Sequence, residues 1–113
     1  MIPAMNVERQ PLFAPGQLVQ HVRYGYRGVV VDFDMTCQAD EMWYYRNQTQ
    51  PGRNQPWYHV LVDGSMTTTY AAQTSLRRDA SGKQIVHPWV SLYFSAFEQG
   101  GYVRNARPWP PNG

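Results

Sequence analysis

In the first half of the chain, short runs of β-branched and aromatic residues alternate with glycine, proline and acidic residues. Residues 17–23, 28–34 and 57–62 form three such runs, and each has the length and composition of a β-strand. Gly25 lies between the first two runs and Gly28 begins the second, and between these two glycines we expect the backbone to bend sharply or to take a positive φ. The pattern therefore predicts two strands joined by a tight turn, followed later by a third strand.

A hairpin signal follows the third run directly. The dipeptide Asp63-Gly64 is typical of a tight turn, and residues 66–71 are the expected return strand. A fifth short strand is predicted near 74–77 or near 84–87. These elements predict a mostly β, antiparallel domain.

The long polar connection between the second and third strands, residues 35–55, is longer than most loops in a compact domain. Loops of this length usually have a function or contain some helix. Residues 42–45, with the sequence Met-Trp-Tyr-Tyr, are predicted to form one helical turn that packs Trp43 on the sheet.

The pattern changes at Pro88. Proline suits the first turn of a helix, and the apolar residues that follow have the spacing i, i+3, i+4 and i+7, which predicts a short amphipathic helix ending at Gly100-Gly101. Its apolar face either covers the sheet or contacts another chain, and we expect the first. That face consists of Val90, Tyr93, Phe94 and Phe97.

The two ends of the chain lack this periodicity. Residues 1–12 contain two prolines and are predicted to be a flexible arm, and residues 104–113 are predicted to be an extended, proline-rich tail. The domain itself is then expected to span residues 13–103.

Length, charge and cysteine content limit the function further. A chain of 113 residues makes one domain, and the single Cys37 excludes an internal disulfide. No secretion signal and no run of about 18 apolar residues is visible, so we expect a cytoplasmic protein that does not enter a membrane. Nine of the ten basic residues are arginine, which suits phosphate binding, although the net charge of +2 is low for a dedicated DNA-binding protein.

Candidate catalytic groups are sparse. Asp32 and Asp34 alternate along one strand and share a face, but acidic residues at a strand end more often accept hydrogen bonds from turns or arginines. The three histidines lack the spacing of a zinc site, and Cys37 has no basic neighbour. We therefore expect a non-enzymatic protein without a cofactor or metal.

The spaced motifs G-Q-x-V-x-H, G-Y-R-G-V-V-V-D-x-D, Q-P-W-Y-H-V-L-V-D and T-Y-x-A-x-x-x-L, between about residues 13 and 76, resemble the YccV-like family, which includes the heat-shock protein HspQ. The resemblance implies a five-stranded SH3-like antiparallel barrel, here with a short C-terminal helix. Two positions depart from the family pattern, Met35 and Gln73. The motif residues are expected to build the barrel more than to touch a ligand: Tyr26, Gly28, Asp32, Asp34, Gln55, Pro56, Trp57, Tyr58, His59 and Tyr70.

The resemblance also implies function. The family is associated with binding to hemimethylated DNA, and the candidate contacts are basic and aromatic residues of the first turn and the long connection: Arg23, Tyr24, Arg27, Arg46 and Arg53. The alternative that the resemblance implies is an adaptor or specificity factor of an ATP-dependent protease in the heat-shock response, acting on the protease or its substrates. SH3-like barrels commonly present aromatic residues to extended peptides, and self-association through a strand edge is equally compatible with the sequence.

Overall fold

An antiparallel sheet of five strands forms the body of the protein. The structure is a computed structural model that describes residues 10–47 and 49–109. The sheet has the spatial order β4-β3-β2-β1-β5. Its strands are β1 (Leu18–His21), β2 (Arg27–Asp34), β3 (Trp57–Val62), β4 (Thr68–Ala72) and β5 (Leu76–Arg78). The predicted mostly β class is confirmed, and the fifth strand lies at the first of its two predicted positions.

The sheet does not close into the predicted barrel. Among the described strands, β4 pairs only with β3 and β5 pairs only with β1, so both are edge strands. A 3-10 turn at Gln73–Ser75 connects them. The sheet is therefore open: no described strand pairs with the outer side of β4 or with the outer side of β5.

Alternation along the strands gives the sheet two buried faces. One face packs around Tyr58 and Val60, and the other packs around Leu61 and Trp57. Side chains on the first face belong to a core with Phe13 and Leu76. The second face is covered at one end by the C-terminal segment and at the other by helix α1 (Glu41–Arg46).

A β-bulge in β2 decides which face the acidic residues occupy. Val30 pairs with Val60 but Asp32 pairs with His59, so Val31 is the extra residue. An inserted residue reverses the alternation that follows it. Asp32 and Asp34 therefore share the second face with His59, and Phe33 packs into the core of the first face.

The predicted C-terminal helix is wrong beyond its first turn. Helix α2 covers only Val90–Tyr93, and strands β6 (Phe94–Glu98) and β7 (Gly101–Arg104) then form a hairpin. Gln99 and Gly100, with φ of 54° and 76°, make its two-residue turn. A bulge between Phe94 and Ala96 brings Phe94 and Phe97 to one side of the hairpin, which explains how a strand imitates helical spacing.

The glycines of the first turn have different roles. Gly25 has the expected positive φ of 77°, but the positive φ considered for Gly28 is wrong. A Cβ on Gly28 would lie 2.5 Å from the carbonyl oxygen of Leu61 and would also collide with the Val60 side chain. Gly28 is needed because β3 approaches the backbone of β2 closely.

Both ends of the described chain contact the sheet. The backbone N–H of Leu12 donates to the Tyr58 hydroxyl at 3.1 Å and to Gln73 Oε1 at 2.9 Å, and residues 1–9 of the predicted arm lie outside the described residues. In the predicted tail, Arg104 ends β7 and Trp109 packs against Tyr93, while residues 110–113 lie outside the described part. In the ranges that the structure describes, no helix has the length and apolar character required to cross a membrane.

Candidate binding site

A groove of about 400 Å³ runs along the open edge of the sheet. We call it the β4 groove. One wall is the turn between β1 and β2, the other is the long connection with α1, and the floor is β4 with parts of β3. The described residues that line it are His21, Tyr24, Tyr26, Trp43, Asn47, Thr49, Pro51, Trp57, His59, Thr68, Thr69, Tyr70, Ala71, Ala72 and Ser75.

The lining of the β4 groove contains aromatic rings, hydroxyls and one amide, and none of its described members is Asp, Glu, Lys or Arg. Burial lowers the pKa of both lining histidines, so that neutral imidazole is favoured at neutral pH. For His21 the nearby Arg23 lowers the pKa further. The groove therefore suits an uncharged ligand with apolar surface and hydrogen-bonding groups.

The wall at the first turn is organised by His21. Its Nδ1 accepts hydrogen bonds from the backbone N–H groups of Arg23 and Tyr24, both at 3.1 Å, and its ring stacks on that of Tyr24 with 4.6 Å between centroids. The Tyr26 hydroxyl lies 2.7 Å from Thr69 Oγ1, which joins the turn to β4. These contacts hold the turn beside the sheet edge.

The opposite wall begins at α1. Asp40 caps this helix by accepting from the N–H of Trp43 at 2.8 Å. The Trp43 ring lies 6.1 Å from Trp57 and 5.7 Å from Tyr70, between ring centroids. The predicted helical turn that packs Trp43 on the sheet is confirmed.

His59 and Tyr70 of the groove lining form a hydrogen-bonded cluster with Asp34, which is not itself a lining residue. The Tyr70 hydroxyl donates to Asp34 Oδ2 at 2.6 Å, and His59 Nε2 lies 3.3 Å from the same oxygen while its ring stacks on Tyr70 at 4.4 Å. Burial and the Asp34 carboxylate raise the pKa of Tyr70. Burial lowers the pKa of His59 more than Asp34 and Asp32 raise it, so neutral His59 donates an ordinary hydrogen bond at neutral pH.

The hydrogen bonds of this cluster fix the positions of the His59 and Tyr70 rings and do not activate either side chain as a nucleophile. Tyr70 stays protonated, and Asp34 already accepts from both neighbours. Among residues 10–47 and 49–109, no group of three or more His, Cys, Asp or Glu side chains is placed to hold a metal ion.

The five candidate DNA contacts divide into two groups. Tyr24 lines the β4 groove, and Arg23 and Arg46 are exposed and adjoin the lining residues Tyr24 and Asn47 in sequence. Arg27 and Arg53 are instead bonded within the protein.

Arg27 joins three segments: its guanidinium bonds Asp63 at 3.0 Å, Asp79 at 2.7 Å and the Lys83 carbonyl at 2.6 Å. Arg53 donates to the carbonyl oxygens of Ala39 and Cys37 and lies over the Tyr44 ring at 4.9 Å, which holds the long connection together.

Most of the motif residues of β3 and its entry are structural. Gln55 Nε2 donates to Gly52 and Gln55 Oε1 accepts from Thr74, while Pro56 is fully buried. The Tyr58 hydroxyl donates to Gln73 Oε1 at 2.5 Å, so the residue that departs from the family pattern completes this network. In the bulge, Asp32 accepts from the N–H of Phe33 at 2.8 Å.

Several groove residues carried no individual signal in the sequence. Asn47, Thr49, Thr68 and Thr69 line the groove only because the long connection and β4 are brought to the same edge. Trp109, near the far end of the chain, also carried no individual signal, although its ring centroid lies 5.4 Å from that of His59. Their common feature, polar or aromatic character without charge, is visible only when they are seen together.

A small, mostly β domain with an uncharged aromatic groove at a sheet edge is therefore the class of protein that the fold and site define. The chain belongs to the YccV-like family: residues 11–101 match the family described as hemimethylated DNA-binding protein YccV like. This confirms the resemblance noted in the sequence.

Longer proteins contain a similar domain. F-box only protein 21 of Homo sapiens, of Pongo abelii and of Mus musculus are each 39% identical to this chain over 103 residues. The match covers 87% of this chain but only 16% of each relative, so the chain corresponds to one part of those proteins.

Proposed function

We propose that this chain is a non-enzymatic binding domain that binds hemimethylated DNA. The observation that carries the proposal is that two exposed arginines, Arg23 and Arg46, adjoin the lining residues Tyr24 and Asn47 of the β4 groove in a chain of the YccV-like family. Arginine on the rim contacts phosphates, and the groove offers rings on which an unstacked base can lie. A methylated base adds apolar surface that suits an uncharged aromatic lining.

The number of free cations sets the expected salt dependence. With Arg27 and Arg53 bonded internally, the proposal leaves two exposed arginines beside the groove. Two phosphate contacts correspond to a slope of about −2 in a plot of log affinity against log salt. Binding is then expected to be modest and to depend on the base as much as on charge.

The test is a titration of labelled duplexes of one sequence in unmethylated, hemimethylated and fully methylated form, at two salt concentrations. We expect the hemimethylated duplex to bind most tightly. Arg23→Ala and Arg46→Ala should weaken all three duplexes alike, each lowering the salt slope by about one unit. Arg78→Ala is the matched control, because Arg78 is exposed on β5 at the opposite edge of the sheet. Equal affinity for the three duplexes would contradict the proposal.

The second candidate function is that of an adaptor that binds a protein, such as an ATP-dependent protease or its substrates. It is favoured by the absence of any charged residue from the described groove lining, because phosphates need cations and an uncharged peptide does not. Exposed apolar side chains on α1, Met42 and Tyr45, add surface for a protein contact or for self-association. We also propose a cytoplasmic location, which the single, buried Cys37 supports.

A further inference from the structure

The backbone hydrogen bonds around β4 show which of its residues face the open edge. The Val62 N–H donates to the Thr67 carbonyl, and the Gln73 N–H donates to the Pro56 carbonyl. The hydrogen-bonded pairs Val62–Thr67 and Pro56–Gln73 therefore flank the two ends of the β3–β4 ladder. In an antiparallel ladder such pairs alternate with non-hydrogen-bonded ones. The continuous register makes Val60–Thr69 and Tyr58–Ala71 the hydrogen-bonded pairs. The backbone N–H and C=O groups of Thr68, Tyr70 and Ala72 therefore point away from β3.

Two of these three positions are accessible. Thr68 is exposed and Tyr70 is partly exposed, whereas Ala72 is buried. No other described strand lies on that side of β4. Thr68 and Tyr70 thus present N–H and C=O groups with a repeat of about 6.8 Å, which is the spacing of alternate residues in an extended strand.

The β4 groove lies at this edge. Its lining includes Thr69 and Ala71 from one face of β4 and Thr68 and Tyr70 from the other, which requires that the groove runs along the edge of the strand. Its walls supply rings on both sides, Tyr26 and Trp43 among them. A chain entering the groove would meet unpaired backbone groups below and aromatic surface beside it.

We propose that the β4 groove binds an extended peptide segment without charged residues, which adds to β4 as a further strand. This inference rests on the second candidate function and names its ligand. Backbone hydrogen bonds to Thr68 and Tyr70 give the affinity, and the aromatic walls select apolar or proline side chains on alternate positions. The uncharged lining disfavours charged side chains at the positions that enter the groove, because a charge there would lose its water without gaining a partner among the lining residues.

The probe is obtained by selecting a displayed library of 12-residue peptides against the full chain. The consensus peptide is synthesised in two forms, one unmodified and one N-methylated at alternate backbone positions. We expect selected peptides to lack charged residues at the positions of contact, and N-methylation in one of the two alternate sets to weaken binding at least tenfold. Selection of no peptide, or equal binding of unmodified and N-methylated peptides in both sets, overturns the proposal.

A pair of proline variants tests the edge itself. Thr68→Pro removes an outward N–H of β4 and should weaken the peptide at least tenfold with the melting temperature retained. Arg78→Pro is the matched control: Asp79 N–H donates to Leu18, so the neighbouring Arg78 has its N–H on the free side of β5. Arg78→Pro should bind the peptide like the parent. Equal binding by Thr68→Pro overturns the proposal, and if that variant unfolds, the N-methylated peptides decide.

The same variants separate this inference from DNA binding. Hemimethylated duplex is titrated into the parent and into Thr68→Pro. If Thr68→Pro loses duplex binding but retains peptide binding, the peptide proposal is overturned in favour of a base in the groove. Loss of peptide binding with retained duplex binding supports strand addition. Failure of the parent to bind any duplex would count against the proposed DNA function and leave the peptide results standing.

Discussion

At the scale of single residues, Gly28 shows how closely two strands approach each other. Gly28→Val should lower the free energy of unfolding by about 1 to 3 kcal/mol, because the new side chain would collide with Val60 and with the backbone of Leu61. Urea unfolding measures the loss. Gly52→Ala is the control, since its Cβ would find Gln55 at an ordinary 3.6 Å, and it should change stability by less than about 0.5 kcal/mol. Parent-like unfolding of Gly28→Val would show that β3 can move away.

His59 provides a residue-scale prediction about pH. Its folded pKa is below the ordinary value of 6.5, mainly because it is buried, while Asp34 and Asp32 oppose the shift. The unfolded chain then binds more protons, so the stability that neutral His59 contributes is present above about pH 6.5 and decreases as the pH falls toward the folded pKa. An NMR titration should give a pKa below 6.5, and Asp34→Asn should lower it further. A higher pKa in Asp34→Asn would contradict this account.

At the scale of elements, the hairpin β6–β7 is the cover of the second sheet face. Phe94 is buried and its ring lies 5.3 Å from that of Tyr102. Phe94→Ala should cost about 3 to 5 kcal/mol of stability, with no change in the mass measured by light scattering. Leu92→Ala, at a side chain that is 40% exposed, is the control and should cost less than about 1 kcal/mol. A stable Phe94→Ala variant that loses self-association would show that the hairpin is an interface.

At the scale of the whole molecule, Arg27 connects distant parts of the chain. It joins β2 to Asp63 in the β3–β4 turn and to Asp79 after β5. Burial alone would raise the pKa of Asp79, but hydrogen bonds from Arg27 and Ser81 bring it below its usual range. Arg27→Ala should therefore destabilise the fold by about 1 to 3 kcal/mol, because it leaves these partners unsatisfied.

The comparison for Arg27 is Arg77→Ala. The exposed Arg77 guanidinium donates to Gln20 Oε1, and its loss should cost less than about 0.5 kcal/mol. Thermal unfolding measures both. DNA affinity should be the same in the parent and in Arg27→Ala at a temperature where both are folded. A specific loss of DNA binding in stable Arg27→Ala would instead make Arg27 a DNA contact.

The sequence by itself determined the strands β1 to β4 and the family, and it left two positions open for β5. These strands are short, strongly patterned and separated by local turn signals such as Gly25 and Asp63-Gly64, so that neighbouring residues carry the information. The helical turn at Trp43 was predictable for the same reason. The sequence could distinguish residues that hold the fold together from residues that are available for binding only in part. Arg23 and Arg27, for example, look alike in a sequence.

Tertiary structure alone decided the features that depend on an inserted residue or on distant segments. Bulges at Val31 and after Phe94 change the face of every residue that follows in the strand. Phe94 and Phe97, three residues apart, therefore lie on one side of a strand and have the spacing of a helix. Arg27 forms a salt bridge with Asp79, and Trp109 packs near His59, although both pairs are far apart in the sequence. The β4 groove exists because β4 remains an unpaired edge between two loops, and no local pattern encodes which edge of a sheet stays open.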